Sequence, residues 1–226
     1  MDDITLCKIN IDEVLKYLGY KGGNIPKEEI DEIYKISEMA IEVARPKYCY
    51  GEYPIEITES GVKVSGTTLF LGGQDIKKHL ANSERCVLFA ATLGLDVDIF
   101  LRQNSHDVKK TLIFDCCASD LVERLCDEFE NRLRSEKTAQ GLFLTSRFSC
   151  GYGDLKIDLQ REFVAVLNAT RQIGLNVSSS NLLIPTKSVT AILGVGKKQS
   201  QKAYSCDICF LKNSCSIRKA GGHCGK

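Results

Sequence analysis

The chain has 226 residues, of which 43% are hydrophobic and 26% charged, so the composition predicts a folded chain with a sizeable core. Lys and Arg number 30 against 29 Asp and Glu, and this balance excludes the basic excess typical of proteins that bind nucleic acid or anionic membranes. The apolar stretches are shorter than the roughly 18 residues of a membrane-spanning helix. Residues 1–4 are acidic and lack an apolar signal core. We therefore expect a cytoplasmic protein without a nucleic-acid or membrane partner.

The periodicity of apolar residues predicts the elements in chain order. Helices are expected at residues 10–18, 26–45, 74–81, 95–103, 108–134 and 158–173. Extended segments are expected at residues 48–58, 62–64, 86–92, 142–145, 182–184 and 188–193. The continuous apolar run at 86–92 indicates a buried strand. Because helices and strands follow no regular alternation, the order favours an α+β fold with an antiparallel or mixed sheet and several helices.

The longest predicted helix, residues 108–134, has two informative features. Cys116 and Cys117 lie within it and are expected to be packing residues of the core. The mixed charges of residues 123–134 are expected to form a solvated face with pairs at i and i+4.

Eleven cysteines are the compositional anomaly. An odd number of cysteines in a chain expected to be intracellular argues against a fold held together by disulfides. Seven are scattered, as is typical of small buried side chains, and the other four crowd the C-terminal end. We therefore divide the chain into an α+β domain at residues 1–196 and a small Cys-rich, metal-binding tail at residues 197–226.

The tail offers four thiolates, those of Cys206, Cys209, Cys215 and Cys224. A Cys-x2-Cys pair can chelate one ion from a single turn, and the later two cysteines can complete the shell. Four thiolates suit either zinc or an iron–sulfur cluster, and the spacing leaves that choice open. The alternative is a tail with reactive thiols or a disulfide.

The most informative internal segment is residues 147–154, Arg-Phe-Ser-Cys-Gly-Tyr-Gly-Asp. An arginine can bind a carboxylate through two parallel hydrogen bonds, glycines let backbone amides approach a ligand, and tyrosine offers a flat apolar face. The segment can therefore hold an amino-acid-like or nucleoside ligand. The alternative is a tight turn with Arg147 on the surface.

Three stretches resemble the activation domain of cobalamin-dependent methionine synthase. Arg147-x-x-x-Gly151-Tyr152 resembles the Arg-Pro-x-Pro-Gly-Tyr loop of that family. Residues 185–191, Pro-Thr-Lys-Ser-Val-Thr-Ala, resemble its Pro-Gly-x-Ser-Val-Ser-Gly segment, and residues 124–127, Arg-Leu-Cys-Asp, resemble its Arg-Leu-Ala-Glu. The similarity spans about residues 115–195.

The resemblance implies that the loop binds S-adenosylmethionine. Arg147 would pair with the methionine carboxylate of the ligand, and Ser149 and Gly151 would supply backbone contacts. Tyr152 would line the pocket. Asp127 stands where the family has a glutamate near the sulfonium or amino group.

The sequence departs from the family pattern at several positions. Cys150 replaces a proline of the loop, and Thr186 and Ala191 replace glycines. A family tyrosine has no clear counterpart near residues 197–201. These differences concern ligand affinity more than the fold.

The resemblance also implies a partner. His79, His106 and His223 all lie outside the Asp-x-His-x-x-Gly motif with which the cobalamin module of the family binds cobalt, and we expect surface or structural roles for them, with His223 a possible further ligand in the tail. The chain would therefore be a free-standing activation domain for the reductive methylation of a separate corrinoid-dependent methionine synthase. That partner would carry the cobalamin and lack its own activation domain.

Two points stay open in this interpretation. The electron donor is either a protein such as flavodoxin or an iron–sulfur cluster in the tail. Two other functions also fit the sequence: a non-catalytic interaction module that has lost the ligand, and an iron–sulfur electron carrier that docks a corrinoid protein through the tail. Whether the chain is itself an enzyme is left undecided, and no catalytic residue is assigned.

Overall fold

A six-stranded antiparallel sheet organises the chain. The computed structural model describes residues 8–20, 25–198 and Asn213. In chain order, the sheet strands are β1 (Lys47–Ile57), β2 (Gly61–Val64), β3 (Phe70–Gly72), β4 (Arg85–Thr92), β5 (Phe143–Leu144) and β8 (Ser188–Gly196). Their spatial order is β3-β2-β1-β4-β8-β5. A separate two-stranded ribbon joins β6 (Asn176–Val177) and β7 (Leu183–Ile184).

Helices cover both faces of the sheet. They are α1 (Ile11–Tyr17), α2 (Lys27–Val43), α3 (Gln74–His79), α4 (Leu95–Gln103), α5 (Val108–Ala139), α6 (Gln160–Val166) and α7 (Ala169–Ile173). One hydrophobic core lies between the sheet and α1, α2, α4 and α5, and a second lies between the sheet and α3, α6 and α7. The predicted α+β fold with an antiparallel sheet is confirmed.

Strand β4 lies at the centre of these layers. Val87, Phe89 and Ala91 pack into the core beside α5, whereas Leu88 and Ala90 pack into the core beside α6 and α7. Successive side chains of a strand point to opposite faces, so a strand covered on both sides needs apolar residues at every position. This explains the continuous apolar run at residues 86–92.

Helix α5 spans 32 residues and begins at the side chain of Asp107, which accepts a hydrogen bond from the Lys110 amide. Cys116 and Cys117 are buried, as predicted. The cysteines of the described residues are free and buried, and burial raises the pKa of the Cys86, Cys117 and Cys126 thiols to about 12. Thiols held protonated in this way are poor nucleophiles and act as packing groups.

The prediction of a single helix at residues 158–173 is wrong. The structure has a short 3-10 turn at Ile157–Leu159, then α6, then α7. Asn168 adopts a left-handed conformation with φ 50°, which ends α6 and begins α7. Asparagine tolerates this conformation better than most residues, and apolar periodicity does not reveal such a break.

The tail lies almost wholly outside the described residues. Strand β8 ends at Gly196, but the boundary at residue 196 is not tested, because Cys206, Cys209, Cys215 and Cys224 are not among the described residues. Within the described part of the chain, no group of three or more His, Cys, Asp or Glu side chains is arranged to hold a metal ion. None of the described helices is both long and apolar enough to cross a bilayer.

We expect the stacked rings of Phe89 and Phe129 to be a major source of stability, because their centroids lie 4.0 Å apart between the sheet and α5. Phe89→Ala should lower the free energy of unfolding by about 3–5 kcal/mol in denaturant titrations. Tyr34→Ala, at a side chain that is 53% exposed, is the control and should change it by less than about 0.5 kcal/mol. A similar loss in the two variants would contradict this account of the core.

Candidate ligand-binding site

The direction of the Arg147 side chain follows from a backbone bridge. Phe148 exchanges two hydrogen bonds with Ile192 of β8, with N–O distances of 3.0 and 2.7 Å. Phe148 is buried in the core beside α6 and α7. Since neighbouring side chains of an extended segment point to opposite faces, Arg147 is directed towards α5.

Three carboxylates of α5 surround the Arg147 guanidinium. Its Nη2 lies 2.7 Å from Asp127 Oδ1 and 3.1 Å from Glu123 Oε2, and its Nε lies 3.2 Å from Glu130 Oε2. The Arg147 side chain is only 19% exposed. Arg147 and Asp127, two of the residues predicted for the site, are therefore in direct contact. The alternative of a solvent-facing Arg147 does not fit this geometry.

The same helix also holds the start of the loop through Arg134. This side chain pairs with Glu130 and donates to the carbonyls of Leu144 and Thr145 at 2.6 and 3.2 Å. The expectation of a merely solvated charged face at residues 123–134 is therefore wrong for this part of α5. Its acidic residues connect the helix to the loop.

Residues 149–155 form a tight turn. The Tyr152 amide donates to the Ser149 carbonyl at 3.1 Å, and the Gly151 amide donates to the Leu155 carbonyl at 2.8 Å. Gly151 has φ +91°, which a residue with a Cβ rarely adopts. The Gly151 amide, predicted to contact a ligand, is thus engaged within the turn.

Tyr152 lies at the surface of this turn. Its side chain is 55% exposed, and its ring centroid is 6.1 Å from that of Phe148. Ser149 is partly buried. The structure places Ser149, Gly151 and Tyr152 in one turn that follows Arg147 directly.

Residues 185–191, which resemble the Pro-Gly-x-Ser-Val-Ser-Gly segment of the family, also contact α5. Lys187 Nζ lies 2.8 Å from Asp115 Oδ1 and 2.9 Å from Ser119 Oγ. Thr186, which replaces a family glycine, donates its amide and its hydroxyl to Asp98 of α4. All three stretches that carry the resemblance therefore meet along α5.

Sequence reasoning missed two acidic residues of this site, Glu123 and Glu130. Their spacing from Asp127, four residues before and three after, places all three on one face of a helix. This spacing could have indicated the cluster from the sequence. However, the sequence contains many charged residues at such spacings, and only the position of Arg147 in the structure distinguishes these three.

His79, at the end of α3, is buried beside the loop and is 1% exposed. Its Nε2 lies 2.9 Å from both the Ser146 carbonyl and Thr145 Oγ1. Burial lowers the pKa of His79 to about 4, against the opposing effect of the Ser146 hydrogen bond. The ring is therefore neutral at pH 7, and with Nε2 protonated it donates to Ser146. This confirms a structural rather than a surface role.

A cavity of about 260 Å³ lies elsewhere, between α1, α2 and the first turns of α5. Leu18, Ile33 and Leu112 line it, with Lys109 at its edge. Its lining includes none of the residues predicted for the site. The candidate site is identified instead by the contacts of Arg147.

The depressed pKa of His79 predicts a pH-dependent stability. The unfolded chain takes up a proton on this residue near pH 6.5, whereas the folded protein does so only near pH 4, so the free energy of unfolding falls as pH drops through this window. The loss should reach up to about 3 kcal/mol at pH 4. Denaturant titrations at several pH values should show a steeper decline in the wild type than in His79→Gln, which cannot titrate. Parallel declines would contradict the buried neutral state.

Comparison with known proteins finds similarity among solved structures. No protein-family profile matches the sequence. No curated protein matches it. A solved structure described as the MetH reactivation domain bound to AdoHcy is similar, with a TM-score of 0.67 and 13% sequence identity over 87% of this chain and 75% of that chain. At this identity the likeness shows the fold, and it confirms at that level the resemblance to the activation domain of methionine synthase.

Proposed function

We propose that this chain binds S-adenosylmethionine and supports the reductive reactivation of a corrinoid-dependent methionine synthase. The observation that carries the proposal is the 2.7 Å contact between Arg147 and Asp127. It joins two of the stretches that resemble the activation domain, in a chain whose fold is also that of the MetH reactivation domain. The AdoHcy bound to that domain is a close chemical relative of the proposed ligand.

The charges around Arg147 support a ligand of this kind. Two guanidinium groups, of Arg147 and Arg134, lie beside the carboxylates of Glu123, Asp127 and Glu130, so the cluster presents charges of both signs. S-adenosylmethionine has one carboxylate, one ammonium and one sulfonium group, and therefore one positive charge in excess. Charge complementarity of this sort favours binding and orientation.

Binding would either add a partner to Arg147 or exchange one of its present partners. The ion pairs of the guanidinium use Nε and Nη2. A ligand carboxylate would bind through Nη1 or displace one of the three acids, and a displaced acid would then face the ammonium or sulfonium group. Because a guanidinium fork matches a carboxylate in geometry, Arg147 can orient the amino-acid end of the ligand.

The role of the protein in the reaction is positioning. A donor would reduce cobalt(II) of the partner's corrinoid to cobalt(I) by one electron. Bound S-adenosylmethionine would then supply its methyl group to the cobalt(I), and the methyl–sulfur bond would break to release S-adenosylhomocysteine. Holding the methyl group in line with the cobalt lowers the barrier without an acid or base of this chain. We infer that the chain acts in trans, in the cytoplasm, on a methionine synthase that lacks its own activation domain.

The tail belongs to the same proposal. Cys206, Cys209, Cys215 and Cys224 would hold an iron–sulfur cluster or zinc ion. A cluster would pass the electron to the corrinoid in place of a donor such as flavodoxin, whereas zinc would only shape a docking surface.

One observation favours a second candidate, an interaction module that keeps the fold without the ligand. Arg147 already has three carboxylate partners, and the Gly151 amide already has an acceptor. Such a module, or an electron carrier with a cluster in the tail, would dock a corrinoid protein without S-adenosylmethionine. The following experiment separates these functions.

Calorimetry should detect S-adenosylmethionine binding by the wild type, and Arg147→Ala should raise the dissociation constant about 100-fold, because a charge-assisted pair with the ligand is lost. Arg147→Ala also removes the guanidinium that Glu123, Asp127 and Glu130 share. Arg147→Lys keeps the charge but not the fork and should raise the constant about tenfold.

Arg102→Ala, at an exposed arginine of α4, is the matched control and should bind as the wild type does. An absence of binding by the wild type, with or without a corrinoid protein, would refute the ligand site. Partner capture that survives Arg147→Ala but is lost in Cys206→Ser would favour the interaction module. Methyl transfer from S-adenosylmethionine to a cobalt(II) corrinoid protein under reducing conditions would establish the activity.

Metal analysis after anaerobic purification tests the tail. We expect a bound metal in the wild type, its loss in Cys206→Ser, and its retention in Cys116→Ser, whose cysteine is buried on α5. A visible absorption band towards the blue would identify an iron–sulfur cluster. Stoichiometric zinc would exclude the electron carrier, and a metal-free wild type would refute the metal site.

A further inference from the structure

Helix α3 contacts the chain just before and just after the candidate loop, which is taken here as residues 147–153. Asp154 follows the loop and contacts the first turn of the helix, whereas Ser146 precedes the loop and contacts its last residue, His79. The helix has six residues and the segment between the two contacts has seven. This arrangement leads to an inference that rests on the function proposed above for the loop.

The contact at the beginning of α3 is a helix cap supplied from a distant part of the chain. The residue at the N-cap position is Gly73, which has no side chain to accept hydrogen bonds from the first amides. Asp154 accepts them instead, from the Gln74 amide at 2.6 Å and from the Asp75 amide at 3.1 Å. Free amides at a helix start need acceptors, and a carboxylate is a strong one.

Two glycines make this close approach possible. A Cβ at Gly73 would collide with the carboxylate of Asp154, and a Cβ at Gly153 would collide with the carboxylate of Asp75. Each aspartate side chain thus lies against the glycine of the other segment. This close packing fixes Gly153 and Asp154 relative to the helix.

The contact at the other end is the buried histidine. His79 donates through Nε2 to the Ser146 carbonyl, and its ring packs at 5.1 Å against Phe148. The separation of these anchors constrains the loop: six helical residues rise about 8 Å, whereas the eight peptide units from residue 146 to residue 154 can extend about 27 Å. The chain between them must therefore fold back, and it does so where the Tyr152 amide donates to the Ser149 carbonyl.

We propose that α3 holds the ligand loop in its binding conformation, with Asp154 and His79 as positioning residues. Neither residue needs to touch the ligand. Asp154 fixes the position of the end of the turn that contains Tyr152. His79 fixes the position of the segment that leads into Arg147. The affinity of the loop for S-adenosylmethionine then depends on contacts outside the site itself.

The test combines hydrogen exchange with calorimetry. In Asp154→Ala, exchange at the amides of Gly151 and Leu155 should rise about tenfold, while amides of β4 keep their protection. The dissociation constant for S-adenosylmethionine should also rise about tenfold. Asp154→Asn keeps one acceptor oxygen and should show smaller changes in both. Asp158→Ala removes an exposed carboxylate four residues further on and should change neither.

His79→Phe provides a second variant, because it keeps an aromatic ring against Phe148 but loses the donor to Ser146. In this variant, hydrogen exchange at the Gly151 and Leu155 amides should become faster, and the dissociation constant for S-adenosylmethionine should rise. Unchanged loop exchange in Asp154→Ala, or faster exchange with an unchanged dissociation constant, would overturn the inference. If the wild type itself binds no S-adenosylmethionine, the proposed function fails, and the inference fails with it as a statement about a ligand site. The exchange data would then show separately whether α3 fixes the turn.

Discussion

The ion-pair cluster around Arg147 is the interaction on which the candidate site depends. One guanidinium, largely withdrawn from water, lies among three carboxylates of a single helix. Removing charged groups from water is costly unless they are paired, so the loop and α5 stabilise each other's position. Arg134 extends the cluster, because it pairs with Glu130 and donates hydrogen bonds to the carbonyls of Leu144 and Thr145. A ligand that binds here would add to or replace existing partners and would need a matching distribution of charge.

The remainder of the fold keeps this cluster in place by apolar packing and by groups that stay neutral. Strand β4 fills the centre of both cores, and the loop joins the sheet through the bridge between Phe148 and Ile192. The buried cysteines have raised pKa values, and His79 has a lowered one. Charged side chains cluster where α5 meets the loop, while α3 supports the loop from its other side.

Much of the fold was predictable because apolar periodicity is local. Strand β4 and helix α5 were recognised from their patterns, since a strand buried on both faces and a long amphipathic helix each leave a clear trace. The break at Asn168 left none, because a single left-handed residue does not alter the apolar period. The resemblance supplied Arg147 and Asp127, and the structure brings these two into contact.

The sequence by itself determined the fold class, the central elements and the short motif around Arg147, because these follow from periodicity and from neighbouring residues. Only the tertiary structure decided which side chains Arg147 contacts and which helix Asp154 caps. Glu123 and Glu130 are two acidic residues among many until the loop is placed against α5. Asp154 and Gln74 are 80 positions apart in the chain. Contacts over such separations depend on how the layers pack, which no local pattern encodes.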